Sequence, residues 1–189
     1  MRNRWSPQIP ASCNHRHMSN NGQEVDWQPR RARLDEAPVV ADLWLLSRRA
    51  SIPQIPPPTH SKVEVRAWFK EVVLPSKDAW VIEAPDQLAA LMVIGDVWIE
   101  QLYVHPAWNG RGLGSQLLEL AKRERPRLDL WTFQSNGGAR RFYERHGFVA
   151  VNATDGDNEE GEPDVRYHWE QRDYHVESLS LLLPPCHHS

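Results

Sequence analysis

Three glycines at alternate positions, Gly110, Gly112 and Gly114, stand between a strand-like run and an apolar, helix-like run. A helix that begins after such a loop presents unpaired backbone N–H groups and the positive end of its dipole, and both attract phosphate. Because glycine has no Cβ, a pyrophosphate can approach this backbone closely. The segment therefore predicts a phosphate-binding loop, while a turn that only needs positive φ values stays open as the alternative.

Two well-known phosphate-binding patterns do not describe this loop. A Walker loop requires G-x-x-x-x-G-K-[ST], and no lysine follows Gly114. A dinucleotide-binding fingerprint requires G-x-G-x-x-G, whereas the spacing here is G-x-G-x-G. Neither class of nucleotide-binding protein is supported.

A second segment, QSNGGARRFYERHGFV at residues 134–149, predicts a short helix. Asn136 is a candidate N-cap, and Gly147 can end the helix in the left-handed conformation. Between them, Ala139, Phe142 and Tyr143 share one helical face. A tyrosine on such a face is either a core aromatic or a proton donor, and the residues alone leave both interpretations open.

Together the two segments resemble the coenzyme A-binding motifs of the GNAT N-acetyltransferase superfamily. The first motif, [Q/R]-x-x-G-x-[G/A], is matched by residues 109–114, with asparagine as a departure at its first position. The second, N-x-x-A-x-x-[FL]-Y-x-x-x-G-F, is matched at every fixed position from Asn136 to Phe148. The resemblance extends over residues 30–170 and implies direct acetyl transfer from acetyl-CoA to a primary amine through a tetrahedral intermediate.

The resemblance also implies roles for individual residues. The strand at 102–104 offers backbone groups to the pantetheine arm, with the Val104 N–H as oxyanion donor, and the loop at 109–115 holds the pyrophosphate. Asn136 contacts the cofactor from the other side, and Tyr143 lies near the sulfur as general acid. Acetyl-CoA is the co-substrate, and no metal is expected. The implied cofactor-binding residues are Leu102, Tyr103, Val104, Asn109, Gly110, Arg111, Gly112, Leu113, Gly114, Ser115, Asn136, Ala139, Phe142 and Tyr143.

The general base is the group that the sequence determines least. Glu100 is the candidate, because strand alternation places it on one face with Trp98, Leu102 and Val104, toward the thioester. A strand bulge would change that direction, and an exposed strand residue is the alternative interpretation. His105 and His146 titrate in a convenient range, but a turn and a helix end also account for them.

The elements that must position these residues follow from apolar periodicity. Helices are predicted over 35–49 with Asp35 as N-cap, over 61–74, from the glycines to about residue 125, and over 138–146. Strands are predicted at 79–84, 88–94, 97–104, 128–133, from residue 148 and at 165–170. The fold class is α/β (mixed α+β). The resemblance implies a central, mixed, mostly antiparallel twisted sheet of six to seven strands flanked by about four helices.

The length of 189 residues suffices for one domain with a core. That domain is predicted at 27–172, between a disordered N-terminal tail at 1–26 and a C-terminal tail at 173–189. Met18 is a candidate alternative start.

The net charge of −3 does not support nucleic acid or an anionic membrane as the partner. No run reaches the roughly 20 apolar residues of a membrane helix. Cys13 and Cys186 lie in the predicted tails, so no disulfide framework is implied. A cytoplasmic location is the expectation, and a homodimer stays open.

The acceptor is expected to be an amine of a small molecule or peptide, and the sequence does not identify it further. The acidic loop at 155–164 is either a solvated turn or, if it borders a pocket, a feature that favours cationic amines. The alternative function is a non-catalytic coenzyme A-binding sensor or interaction module, against which the presence of Tyr143 argues. The aromatic residues that could wall a pocket or pack in the core are Trp68, Phe69, Trp80, Trp98, Trp131, Tyr167 and Trp169.

Overall fold

The computed structural model describes residues 17–18, 24–25 and 27–171. His17–Met18 (β1) pairs antiparallel with Glu24–Val25 (β2). Both cysteines and the predicted C-terminal tail lie outside the described residues, as does most of the predicted N-terminal tail. The division into two tails and one domain stays a prediction.

A seven-stranded sheet forms the centre of the molecule, in the order β3-β4-β5-β6-β7-β9-β8. Neighbouring strands are antiparallel except for β6 and β7, which are parallel. The prediction of a mixed, mostly antiparallel sheet is therefore confirmed. The strands are β3 (Arg30–Arg31), β4 (Asp78–Ala84), β5 (Gln87–Gly95), β6 (Trp98–Val104), β7 (Arg127–Phe133), β8 (Val149–Thr154) and β9 (Asp164–Glu170).

Helices cover both faces of the sheet. The first pair, α1 (Ala37–Ala50) and α2 (Lys62–Trp68), packs on one face, and α2 continues through a π-helical turn, Phe69–Val73, into the short α3 (Leu74–Ser76). The second pair, α4 (Leu113–Glu124) and α5 (Gly137–Arg145), packs on the other face. The central strand β5 is buried on both sides, because alternate residues enter the two cores.

The predicted N-cap at Asp35 is wrong. The chain forms a 3-10 turn at Leu34–Glu36 before α1, and the Asp35 side chain is exposed beside Arg33. Glu36 folds back instead, and its Oε2 accepts a hydrogen bond of 2.7 Å from the Arg33 backbone N–H. The extra turn moves the start of α1 to Ala37.

The feature of the sheet that matters for function is the separation of β6 from β7. Their register has a single pair, Trp98 with Asp129. The strands are joined there because the Asp129 N–H donates to the Val97 carbonyl at 2.9 Å, while the buried Asp129 carboxylate accepts from Arg166. Beyond this point the two strands line opposite sides of a cleft.

Candidate functional site

A cavity of about 360 Å³ fills the cleft between β6 and β7. Its walls come from residues 99–104 of β6, 131–133 of β7 and the inner face of α5. The glycine loop and the second predicted segment therefore meet around one space, although they are far apart in sequence. The predicted site residues that line it are Glu100, Leu102, Tyr103, Val104, Asn109, Gly114, Asn136, Ala139, Phe142 and Tyr143.

Backbone groups of β6 point into this cleft. The His105 N–H donates to the Ala89 carbonyl at 2.8 Å, which makes residues 105 and 89 a hydrogen-bonded pair of the antiparallel ladder. Since such pairs alternate, the N–H and C=O groups of Leu102 and Val104 turn away from β5, toward β7. The Val104 carbonyl accepts from the Ser47 hydroxyl on α1 at 3.1 Å. The Val104 N–H therefore faces the cleft and not the neighbouring strand β5.

The glycine loop ends in an uncapped helix N-terminus. Gly112 is the N-cap of α4 with φ +80°, and no side chain caps the helix. The Gln116 N–H makes the first intrahelical bond, to the Gly112 carbonyl at 3.0 Å, so the N–H groups of residues 113–115 precede that ladder. A Cβ added at Gly110 or Gly112 would meet nothing within 4 Å, so the space beside the loop is open.

The other loop residues differ in what they can offer a ligand. The Leu113 side chain is buried in the core, so only its backbone faces the loop. A Cβ on Gly114 would lie 3.5 Å from the Phe142 ring, which places α4 close against α5. The Arg111 guanidinium stacks over Trp108 at 4.6 Å, and Asn109 is extended at the end of the preceding turn.

The second segment folds as its residue types predict. The Asn136 Oδ1 caps α5 by accepting from the Ala139 N–H at 3.0 Å. Gly147 has φ +79° directly after the helix, so it provides the left-handed residue that a helix end needs. Both predictions are confirmed, and together they fix the face of α5 that lines the cavity.

Tyr143 is buried beside the cleft, with 8% of its surface exposed. No hydrogen bond joins its hydroxyl to another of the described residues, and the side chain lines the cavity. Burial, and secondarily the proximity of Tyr103, raises the pKa of the Tyr143 phenol. The phenol therefore keeps its proton at neutral pH, and the side chain forms part of the cleft wall.

A β-bulge interrupts the alternation that had placed Glu100 on one face with Leu102 and Val104. Val93 pairs with Gln101 and Ile94 with Ile99, so Glu100 is the extra residue of a β-bulge. Its carboxylate folds back over Gly95, where any Cβ would collide with it, and accepts hydrogen bonds from Lys77 Nζ. Glu100 nevertheless lines the cleft, as a partner of Lys77.

The two histidines considered as bases lie outside the cleft. The His105 Nδ1 accepts from the Ala107 N–H at 3.1 Å, which caps the turn before the glycine loop. The His146 Nδ1 lies 2.8 Å from the Phe142 carbonyl, and its Nε2 lies 3.0 Å from the Ser115 hydroxyl. Neither residue lines the cavity.

Comparison with known proteins decides the class of this site. Residues 75–150 match the family model of an acetyltransferase (GNAT) domain. The chain therefore carries a GNAT acetyltransferase domain in this region. It is 26% identical over 129 residues to the peptidyl-lysine N-acetyltransferase YiaC of Escherichia coli (strain K12), over 65% of this chain and 83% of YiaC.

Solved structures show the same GNAT fold. Apo YjaB from Escherichia coli has a TM-score of 0.62 and 22% identity, over 77% of this chain and 98% of YjaB. YncA from Salmonella typhimurium, solved with its cofactor acetyl-CoA, has a TM-score of 0.58 and 18% identity, over 78% of this chain and 95% of YncA.

A second cavity, about 1040 Å³, adjoins the cleft. The two spaces share Glu100, Gln101, Tyr103 and residues 131–133 as lining. Of the aromatic residues considered from the sequence, Trp68 and Trp131 line this cavity, whereas Phe69 and Tyr167 are fully buried in the two cores. Sequence reasoning missed the other aromatic walls, which are Trp44, Tyr103 and Phe133.

The acidic loop borders this second cavity, so it is more than a solvated turn. Two basic side chains lie among the carboxylates of the lining. The Arg48 guanidinium pairs with Glu160 and stacks over Trp44, and His60 lies 3.6 Å from Glu159. The lining is therefore strongly negative in sum. The carboxylates of the lining are Glu64, Glu100, Asp157, Glu159, Glu160 and Asp164.

Neither a cluster of metal ligands nor a membrane-spanning helix occurs in the part of the chain that the structure describes. No group of three or more His, Cys, Asp and Glu side chains there is arranged to hold a metal ion. In the same part of the chain, no helix has the length and apolar character needed to span a membrane.

Proposed function

We propose that this protein transfers an acetyl group from acetyl-CoA to a primary amine, by direct attack of the amine on the thioester. One observation carries the proposal: two cavities of different chemistry meet where β6 and β7 separate, and Glu100, Tyr103 and Trp131 border both. The narrow cavity leads to the glycine loop, and the wide one is acidic and aromatic. That YncA was solved with acetyl-CoA as its cofactor supports the donor.

The cofactor is assigned to the narrow cavity. The pantetheine arm lies along residues 102–104. The N–H and C=O groups of Leu102 and Val104 turn away from β5 there, and β7 is too far away to pair with them, so they can bond to the arm. The pyrophosphate lies at the loop 109–115, on the free N–H groups at the start of α4. Asn136, Ala139 and Phe142 form the opposite wall.

The chemistry requires three groups. The bound ammonium first releases one proton to solvent, and Glu100 takes the second from the nitrogen as it attacks. Each carboxylate oxygen of Glu100 keeps a lone pair beyond its bond to Lys77. The amine nitrogen attacks the thioester carbon, and the Val104 N–H donates to the developing oxyanion. When the intermediate collapses, the carbon–sulfur bond breaks and the thiolate receives a hydrogen bond or proton from Tyr143.

The acceptor is assigned to the wide cavity and to the class of cationic amines. Aromatic faces attract an alkylammonium group, and carboxylates at the walls raise its local concentration. A lysine side chain in a peptide has this chemistry, and the similar protein YiaC is a peptidyl-lysine N-acetyltransferase. A small-molecule amine with a second cationic centre has it as well.

A donor and acceptor assay tests this function. Acetyl-CoA consumption is measured with a lysine peptide flanked by arginines, with the same peptide flanked by glutamates, and with a small diamine, beside calorimetric titration with coenzyme A. We expect kcat/KM to be at least about tenfold higher for the basic peptide or the diamine, and to fall as salt screens the cavity.

A variant of Glu100 and two contrary outcomes separate the proposed enzyme from a non-catalytic coenzyme A-binding protein. Glu100→Gln should lower kcat while coenzyme A still binds. Binding without turnover on any acceptor would favour the non-catalytic sensor or interaction module. If the wild-type protein does not bind coenzyme A at all, both functions are removed.

A further inference from the structure

The proposed function uses backbone N–H groups at the N-terminus of α4 and gives no part to a side-chain pair found there. Ser115, in the first turn of α4, places its hydroxyl oxygen 3.0 Å from the Nε2 atom of His146, the residue that follows α5. The other ring nitrogen of His146, Nδ1, lies 2.8 Å from the Phe142 carbonyl. Both residues are half-buried, and the ring of His146 packs against the Phe142 ring at 4.4 Å.

The partners of His146 determine where the protons lie. A carbonyl oxygen can only accept, so Nδ1 carries a hydrogen that it donates to the Phe142 carbonyl. In the neutral imidazole, Nε2 is then an acceptor, and the Ser115 hydroxyl must donate to it. In that state the only hydrogen of the Ser115 hydroxyl is committed to the ring, so towards any other group the hydroxyl can only accept.

Protonation of His146 reverses this bond. An imidazolium carries a hydrogen on both nitrogens, so Nε2 would donate to the Ser115 oxygen. The hydroxyl hydrogen would then be free to donate to a phosphate oxygen, and the ring would add a positive charge behind it. Hydrogen bonds to a charged phosphate are stronger than neutral ones.

We propose that His146 is a positioning residue for cofactor binding, which sets through its proton whether Ser115 donates to the pyrophosphate of coenzyme A. This proposal rests on the proposed function, since it needs the pyrophosphate at the start of α4. The two residues act as one unit, so cofactor affinity and proton uptake at His146 are linked in both directions.

The charged groups around His146 are known from the structure. Lys122 and Glu119 come from α4, and Lys122 Nζ donates to the His146 carbonyl at 2.8 Å while pairing with Glu119 at 3.0 Å. Glu144 and Arg145 precede His146 on α5. A pH effect that disappears in His146→Gln is therefore assigned to the imidazole and not to these neighbours.

The test measures binding of dephospho-coenzyme A by calorimetry at pH 6 and pH 8. This ligand carries the pyrophosphate but lacks the 3′-phosphate monoester, whose own titration would confuse the result. The wild-type protein should bind it about fivefold more tightly at pH 6, because proton uptake frees the Ser115 hydroxyl. His146→Gln should remove that difference, and Ser115→Ala should weaken binding at pH 6 by about tenfold.

Matched controls separate this role from a structural one. Ser115→Thr keeps a hydroxyl and should retain the pH dependence. The value of kcat/KM with S-acetylpantetheine, which has no phosphate, should be the same in wild type and His146→Gln. The Ser115→Ala His146→Gln double variant should lose no more affinity than the worse single variant, since the pair acts together.

Two results would overturn the proposal. One is a His146→Gln protein with the same pH dependence as wild type, and the other is an equal loss with S-acetylpantetheine. A wild-type protein that binds dephospho-coenzyme A at neither pH would instead remove the proposed function itself.

Discussion

Among single residues, Tyr143 shows how burial defines a chemical role. A free tyrosine has a pKa of about 10 and a thiol one of about 8.5, so full proton transfer from phenol to thiolate is unfavourable. Burial raises the pKa of Tyr143 still further and makes that transfer harder. The phenol is therefore better suited to donate a hydrogen bond to the departing sulfur than to lose its proton to it.

Tyr143→Phe should lower kcat by about tenfold, a modest loss for an acid because a hydrogen bond and not full transfer is removed. The KM for acetyl-CoA should stay within about twofold, since the ring packing is kept. Because the pKa is raised, the donor form persists to higher pH, and activity should show no alkaline loss from this residue up to about pH 10. Steady-state kinetics between pH 7 and 10 check both points.

Tyr167→Phe is the matched control, because Tyr167 is fully buried and donates to Glu144 at 2.6 Å, away from both cavities. It should lose about 1 kcal/mol of stability and leave kcat unchanged. Equal turnover in Tyr143→Phe and wild type would rule out the role at sulfur.

At the level of elements, the glycine loop combines two separate tasks. Gly110 and Gly112 have positive φ values with open space beside them, while Gly114 allows α4 to approach Phe142. The turn and the phosphate interpretations are therefore compatible, because the left-handed Gly112 is the residue that leaves the first N–H groups of α4 uncovered.

The bulge in β6 shows where pattern reasoning stops. Periodicity predicted β6 within one residue of its observed start, but one extra residue at Glu100 reverses the face of everything before it. No residue type marks the bulge; Gly95, which makes room for the folded-back carboxylate, lies on the neighbouring strand. The ends of α5 at Asn136 and Gly147 were predictable, because they depend on a hydrogen bond and a backbone conformation within a few residues of sequence.

Gly112→Ala should weaken coenzyme A binding by at least about tenfold, because its Cβ would enter the space assigned to the pyrophosphate. Gly161→Ala is the control: Gly161 also has a positive φ, +66°, and nothing within 4 Å of an added Cβ, but it lies in the acidic loop. Both variants should lose about 1 kcal/mol of stability from backbone strain. Calorimetry and denaturant unfolding measure the two effects, and an equal affinity in both variants would contradict the pyrophosphate assignment.

Across the whole molecule, the site is assembled from segments that no local pattern connects. The alternation of helices and strands predicted the architecture, because the apolar periodicity of each element depends only on its own residues. The wide cavity could not be predicted in this way, since Trp44 on α1 and Glu160 in the acidic loop meet only when the sheet is complete. The pairing of Ser115 with His146 likewise depends on how α4 and α5 pack.

The N-terminal edge of the sheet is joined to the rest of the molecule by a buried carboxylate. Glu36 accepts from Arg30 on β3 at 2.7 Å, and Arg30 also pairs with Glu83 on β4. The Arg30 hydrogen bond, with help from the Arg33 backbone N–H, lowers the pKa of Glu36 from 4.5 to about 2. Its folded-state pKa lies below the unfolded one, so its contribution is complete above pH 4.5 and is lost as pH falls toward 2.

Glu36→Gln should therefore make the free energy of unfolding less dependent on pH between pH 7 and pH 3. A shift of this size corresponds to about 3 kcal/mol at neutral pH, an upper value for a group that keeps slight exposure. The free energy of unfolding, from urea titrations at pH 7, 4.5 and 3, should converge between wild type and variant as pH falls. Glu83→Gln is the control, because the Glu83 side chain is 63% exposed and its pair contributes little. If the free energies of unfolding of Glu36→Gln and wild type differ by the same amount at all three pH values, the Glu36 carboxylate does not stabilise this edge, because the two proteins share all their other acidic residues.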